Sequence, residues 1–351
     1  MLKDAFLTNS LTARPWVGKT PPRRILLIRL QAMGDMVITL PYIQQLQKIL
    51  PENALLDLLT REEVAGIAQN IVLFNKVFCI KGGRNFKKQL FYTCTLLPAL
   101  LLRHYDVVID LQNNLPSRMV TRALMPKAWS VFNRVAPLPA GERTRLAIEA
   151  AGLGLIAPNH LFTLKTTGGI DDILRQHGWD GRSSLVILNP AGAFSSRHWP
   201  LDNYITFATL WLASYPNTQF VVTGIDTISQ SATYFKQALG SSLVNIVNQT
   251  TPVQAFALVQ KAAFVLSEDS GLMHMAWVQG RPTLAMFGST RSDWARPLGH
   301  HSAFLDSSDL ACGNCMQPTC MYGDTRCLTR YTPQAVFAKA QQLLASLSQA
   351  K

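Results

Sequence analysis

Three short segments combine residues that bind anions or move protons with the glycines and hydroxyls that bring a backbone close to a ligand. The first is Arg29-Leu30-Gln31-Ala32-Met33-Gly34-Asp35-Met36, an apolar run that passes through a tight turn into a helical pattern. Gly34, beside Met33, permits close backbone approach. Asp35 offers a carboxylate at the helix start, suited to a general base. Capping of the helix is the alternative, because carboxylates are favoured there. The second segment is Asn189-Pro190-Ala191-Gly192-Ala193-Phe194-Ser195-Ser196-Arg197-His198-Trp199-Pro200. Its backbone N–H groups around Gly192, with Ser195, Ser196 and Arg197, predict a phosphate cradle. An ordinary strand-to-helix loop with a surface arginine is the alternative. Trp199 and Pro200 read as fixing the start of the next helix. The third, Ser267-Glu268-Asp269-Ser270-Gly271-Leu272-Met273-His274-Met275-Ala276, again takes a strand into a helix. Asp269, Ser270 and Gly271 predict a helix start that presents N–H groups to an anion. His274 follows one turn later, either at the ligand or as a satisfied structural histidine. None of the three is a GxGxxG or a lysine-bearing P-loop, so dinucleotide and P-loop readings are weak.

The cysteines Cys312, Cys315, Cys320 and Cys327 follow C-x2-C-x4-C-x6-C. Four thiolates so close suit a structural zinc or iron ion. The spacing is not the paired CxxC of common zinc ribbons, so reduced thiols or a disulfide stand as alternatives. Cys79 and Cys94 lie in apolar runs and read as core.

Positioning these segments requires alternating strands and helices. Strand-like runs fall at 24–30, 54–59, 76–80 and 106–111, with helical spacing from Met36 and over 86–103. A second series has strands at 184–189, 219–223, 243–247, 264–267 and 282–287, and helices at 201–214, 228–239, 252–261, 271–278 and 333–347. Continuous apolar strands separated by helices imply parallel sheets covered on both faces. The predicted class is α/β, with two doubly wound Rossmann-like domains facing a cleft at the carboxyl ends of their strands. The break at 157–169, with Pro158 and a TTGG turn, divides them. The domains are placed at 23–160 and 168–330, with the last helix, 333–350, returning to the first.

The 351 residues carry 33 Lys and Arg against 21 Asp and Glu, a net charge of +12, and are 48% hydrophobic but only 15% charged. Such composition excludes intrinsic disorder. The most apolar stretch, 96–102, is too short to span a bilayer and contains Pro98. Residues 1–24 show no apolar secretory core and read as a polar lead-in, so a cytoplasmic location is expected. The basic excess points to acidic partners: a generic solvated surface, an anionic substrate or a membrane. No zinc-finger spacing, RNA-binding signature or block of like charge supports nucleic acid.

In this order and spacing the motifs carry a resemblance over most of the chain, from about Arg24 to the final helix. MGDMVITLP at 33–41, YDVVIDLQ at 105–112, PAGAFSSRHWP at 190–200, SEDSGLMHMA at 267–276 and FGST at 287–290 resemble glycosyltransferase family 9, the ADP-heptose:lipopolysaccharide heptosyltransferases of GT-B fold. The resemblance implies Asp35 as catalytic base and Arg197 as the basic residue at the nucleotide diphosphate. It implies that Asp269, Ser270, Gly271 and His274 hold the donor's phosphates and sugar. It further implies inverting transfer in one displacement, with no metal cofactor and with ADP-heptose as donor. The implied acceptor is an anionic glycolipid, the lipopolysaccharide core, met at the inner-membrane surface by peripheral contact.

Two positions depart from this pattern or stay open. Family members often carry an acidic ribose contact after the strand at 219–223, where this chain offers only Asp226. Asp110 is either an acceptor-side residue or a turn-stabilising aspartate. Transfer of another sugar, a protein acceptor, a nucleotide-sugar epimerase and a non-catalytic nucleotide-sugar binder remain as other readings. Retention of Asp35 argues against the binder, and the lack of a second good acid/base candidate against the epimerase.

Overall fold

The structure, a computed structural model, describes residues 12–349. It divides into two compact units, one ending at Lys165 and the other beginning at Thr166. The first eleven residues of the lead-in lie outside the described residues.

In the first unit the elements run β1 (Ala13–Arg14), β2 (Arg24–Ile28), α1 (Met33–Ile49), β3 (Leu55–Arg61), α2 (Glu62–Asn70), β4 (Lys76–Ile80) and α3 (Phe86–Leu101). They continue β5 (Val107–Asp110), α4 (Leu115–Leu124), β6 (Ala128–Val131) and α5 (Ala140–Ala150). The sheet order is β1-β6-β5-β2-β3-β4. Every pairing is parallel except the edge strand β1, which lies antiparallel to β6 through Ala13 and Arg14. The order reverses between β2 and β5, whose register sets Ile28 against Asp110. The core beneath is mostly aliphatic, with Leu26, Ile28, Leu59, Val108 and Val120 packed around Phe78 and Tyr105.

The second unit runs α6 (Ile170–Gln176), β7 (Ser184–Asn189), α7 (Leu201–Ser214), β8 (Thr218–Val222), α8 (Ser229–Leu239), β9 (Leu243–Asn245), α9 (Pro252–Lys261) and β10 (Ala262–Glu268). It ends α10 (Gly271–Val278), β11 (Thr283–Met286), α11 (Ser292–Ala295), β12 (Ser302–Leu305), α12 (Arg326–Thr329) and α13 (Pro333–Gln349). Its sheet, β12-β11-β10-β7-β8-β9, is parallel throughout. The reversal falls between β7 and β10, which pair with Asn189 opposite Ser267. This core is aromatic: Trp211 and Phe264 meet at 4.9 Å and Trp199 and Tyr204 at 4.9 Å, inside a cluster that includes Phe207, Phe220 and Phe235.

Both units are therefore doubly wound α/β folds, as the strand and helix spacing predicts. The last helix differs from expectation. α13 packs on α7 and buries Val336, Ala340 and Leu343 in the second unit's core, so it belongs to that unit and not to the first. Cys94 also differs, since it is exposed on α3, while Cys79 is half-buried.

Candidate active site

In open α/β sheets ligands bind at the carboxyl ends of the strands where the order reverses. The first two segments singled out in the sequence follow β2 and β7, and the third follows β10, all at these reversals.

At the first reversal Arg29 leaves β2 fully packed, 6% exposed, over the Phe132 ring at 5.0 Å. Its guanidinium donates to the Leu111 carbonyl and reaches Asp35 Oδ2 at 3.0 Å. Burial pulls the Arg29 pKa down, and Asp35 opposes that pull. Asp35 lies in the first turn of α1 and also accepts from the Ala32 N–H at 3.0 Å. Capping and presentation coexist, because the Asp35 side chain stays 43% exposed while tethered on both sides. Met33 and Gly34 form the start of the same turn. Gln112 fixes the loop by accepting from the Leu30 and Gln31 N–H groups at 2.9 and 3.0 Å. A cavity of about 410 Å³ opens here, lined by Asp35, Gln112 and Phe132 and by four arginines, Arg29, Arg84, Arg134 and Arg143. One carboxylate among four guanidiniums suits an acceptor that is itself an anion and carries a hydroxyl to be deprotonated.

Asp110 takes the turn-stabilising role. Fully buried, it accepts from the N–H groups of Gln112 and Asn113 at 3.0 and 2.8 Å and from Ser117 Oγ at 2.8 Å. Burial raises its pKa against those hydrogen bonds.

At the second reversal one buried carboxylate organises the loop. Glu268, the last residue of β10, accepts from the Gly192 N–H at 2.7 Å, the Trp199 N–H at 2.7 Å and the Tyr204 hydroxyl at 3.3 Å. It thereby pins both ends of the 192–199 loop. Its complete burial pushes its pKa up to about 8 despite these donors. Gly192 is required by space: a Cβ there would stand 2.8 Å from Arg197 Cβ and 2.9 Å from Glu268 Oε2. The same contact occupies the Gly192 N–H, so this glycine shapes the loop instead of donating to a ligand.

Arg197 stacks on Phe194 at 4.7 Å and approaches Asp269 at 3.5 Å. Burial lowers its pKa and Asp269 raises it, and its buried Nε has no hydrogen-bond partner among the described residues. That leaves donor capacity for an incoming anion. Ser195 reaches the Pro318 carbonyl at 3.3 Å. Ser196 is turned inward, bonded to Ser289 Oγ at 2.9 Å and the Gln317 carbonyl at 2.6 Å, so it braces the loop and is not at the cradle's surface.

Asp269 donates its N–H to the Met286 carbonyl at 3.1 Å. Ser270 caps α10 through Met273 N at 3.3 Å, and Asn189 donates to both Ser267 Oγ and Ser270 Oγ at 2.8 and 2.7 Å. Gly271, first in α10, is exposed with open space around it. His274 is buried, and its Nδ1 accepts the Trp277 indole N–H at 3.2 Å. Because an indole can only donate, the neutral His274 carries its proton on Nε2. Asp226 is exposed and bonded to Ser229 and Asn248.

Cys312, Cys315, Cys320 and Cys327 line one small cavity behind Ser196 and Ser289 as free thiols. Among the described residues no three His, Cys, Asp or Glu side chains form a group that could hold a metal ion.

Arg29 and Glu268 lie inside the segments singled out, without a role read for them there. Their signal is a charged residue at the end of an otherwise apolar strand, RILLIR and AAFVLSE, which burial makes expensive unless it is paired. Arg84, Arg134 and Arg143 come from loops and from α5, outside those segments.

Residues 162–325 match the model of glycosyltransferase family 9 (heptosyltransferase). Lipooligosaccharide heptosyltransferase 2 of Campylobacter jejuni is 28% identical over 46% of this chain, and the chain spans about half, 51%, of that relative's length. Lipopolysaccharide heptosyltransferase 1 of Pseudomonas aeruginosa is 23% identical over 92% of this chain and 98% of its own. In fold the chain resembles E. coli heptosyltransferase WaaC with ADP-2-deoxy-2-fluoro heptose, at TM-score 0.64 and 18% identity, covering 91% of this chain and 99% of the other.

Proposed function

We propose that this chain, which resembles glycosyltransferase family 9 in sequence and fold, is an inverting glycosyltransferase. It moves heptose from ADP-heptose to a sugar hydroxyl of the lipopolysaccharide core. The observation that carries the reading is the pair of strand-end sites: a tethered, half-exposed carboxylate among arginines in one unit, and an arginine beside a helix start in the other.

In this reading Asp35 takes the proton of the acceptor hydroxyl as that oxygen bonds to the anomeric carbon. The bond from that carbon to the diphosphate breaks on the opposite face, and ADP leaves with the electron pair. Arg29 orients Asp35, and Arg84, Arg134 and Arg143 hold the acceptor's negative groups. Arg197 and the exposed amino end of α10 at Gly271 take up the charge that grows on the leaving diphosphate. Glu268 and Ser196 hold the loop that carries Arg197, and His274 lies one turn into α10. The donor assignment draws on the WaaC structure with its ADP-sugar analogue, and the acceptor on the lipooligosaccharide and lipopolysaccharide heptosyltransferase relatives. A glycolipid acceptor makes the inner-membrane surface the place of reaction, with the protein on its cytoplasmic side.

Calorimetric titration with ADP, GDP and UDP, on wild type and Arg197→Ala, tests the donor half. ADP-selective binding lost in Arg197→Ala supports the reading. Preference for UDP or GDP changes the donor, and absence of binding to all three removes the donor site.

A further inference from the structure

Surface helices of globular proteins normally turn charge outward along their length, and beyond Lys88 α3 does not. From Gln89 to Leu102 the chain reads QLFYTCTLLPALLL without one charged residue. The inward face is already satisfied: Thr93 and Leu100 are buried, and Tyr92, Leu96 and Leu97 pack against the first unit's core. The opposite face still carries apolar groups, with Phe91 63% and Leu102 75% exposed and Cys94 and Pro98 exposed between them. At helical spacing Lys87, Phe91, Cys94, Pro98 and Leu102 fall on one line along that face.

The charge along this segment has one sign. Between residues 81 and 105 there is no Asp or Glu, and Lys81, Arg84, Lys87 and Lys88 are all exposed at the amino end of α3. Arg103, at the other end, is taken up by Asp57 at 3.2 Å. The preceding helix α2 starts with Glu62 and Glu63, of which Glu63 is taken up by Arg61 at 2.9 Å. Among the described residues no helix is long and apolar enough to cross a membrane. An apolar face edged by cations is the pattern of a helix that lies in a bilayer interface. Arg84 adds a spatial link, because it also lines the cavity around Asp35.

We propose that α3 is the surface by which the protein seats on an anionic lipid bilayer. Phe91, Pro98 and Leu102 enter the boundary between headgroups and acyl chains, and Lys81, Arg84, Lys87 and Lys88 meet lipid phosphates. The proposal deepens the reading of the acceptor as a membrane glycolipid: the edge of the docking surface is also the rim of the cavity that receives the acceptor's sugar.

Flotation of the full chain with vesicles tests it, using phosphatidylethanolamine with phosphatidylglycerol against phosphatidylcholine alone. Wild type is expected on the anionic vesicles, with binding weakened by salt, and not on the neutral ones. Phe91→Ser/Leu102→Ser and Lys87→Glu/Lys88→Glu are each expected to bind anionic vesicles at least about tenfold more weakly. Both should keep wild-type unfolding temperature and wild-type turnover of a soluble acceptor analogue. The proposal is overturned if wild type ignores anionic vesicles, or if both variants float as wild type does. It is equally overturned if light scattering shows a dimer that Phe91→Ser/Leu102→Ser makes monomeric without any vesicle binding, since the face then covers a second copy. Flotation without turnover supports the surface and counts against the transfer reading alone.

Discussion

The two strand-end sites solve the same positioning problem with opposite charges. In the first unit a buried cation, Arg29, supports an exposed anion, Asp35. In the second a buried carboxyl group, Glu268, supports the loop that carries a cation, Arg197. In the proposed reading the group that meets ligand has the sign its task requires, a base in one case and an anion holder in the other. The group behind it is ionisable too and lies at a strand end, where loop N–H groups or a neighbouring carboxylate can satisfy it. A buried charge is tolerated only when so satisfied, which ties the shape of each loop to the residue beneath it.

The strongest way to break the comparison is Asp35→Asn. Loss of a general base is expected to lower the transfer rate about 10³-fold with ADP binding unchanged, read by steady-state transfer and calorimetry. Comparable loss of ADP binding would show that the two sites are not separable in role. Next is Glu268→Ala, which leaves the Gly192 and Trp199 N–H groups and the Tyr204 hydroxyl without an acceptor. Chemical denaturation should show about 3 kcal/mol less stability, and the ADP binding proposed for the second unit should weaken with it.

Arg197→Ala should weaken ADP by about 30-fold, or ~2 kcal/mol, while the acceptor's KM stays put. The mildest test is of pH. Folded Glu268 keeps its proton up to about 8, whereas the unfolded chain releases it near the ordinary value of 4.5. Between those values the folded state binds more protons, so this group's contribution to stability falls as pH rises through about 8. Glu268→Gln cannot titrate, and its melting temperature relative to wild type should climb from pH 5 to pH 9. A constant difference would mean that Glu268 is ionised across the range.

Much of this frame is legible in residue order because buried parallel strands are written as continuous apolar runs. SLVILN is β7 from end to end, and the helices at 201–214, 252–261 and 271–278 fall where their spacing puts them. The edges are harder to read. β1 is two residues long, and β6 is AWSV with alternating burial, so neither has an apolar run to announce it. Within the candidate sites, the sequence marks Asp35, Arg197 and the α10 start as lying at strand ends, which they do, but the inward turn of Ser196 depends on Gln317 and Ser289, about a hundred residues away in the chain. The last helix misleads for the same reason: its Val336, Ala340 and Leu343 show that a face is buried, not against which unit.

That helix has a consequence for how the molecule can be dissected. Because α13 completes the aromatic core of the unit that begins at Thr166, each half is encoded by one uninterrupted stretch of gene. A cut at the 165/166 junction leaves both hydrophobic interiors whole, whereas a stop codon just before Pro333 strips three core residues from the second. Separately expressed halves, or halves exchanged between relatives, are thus defined by one junction, and under the proposed transfer reading nucleotide and acceptor preference would be inherited one at a time.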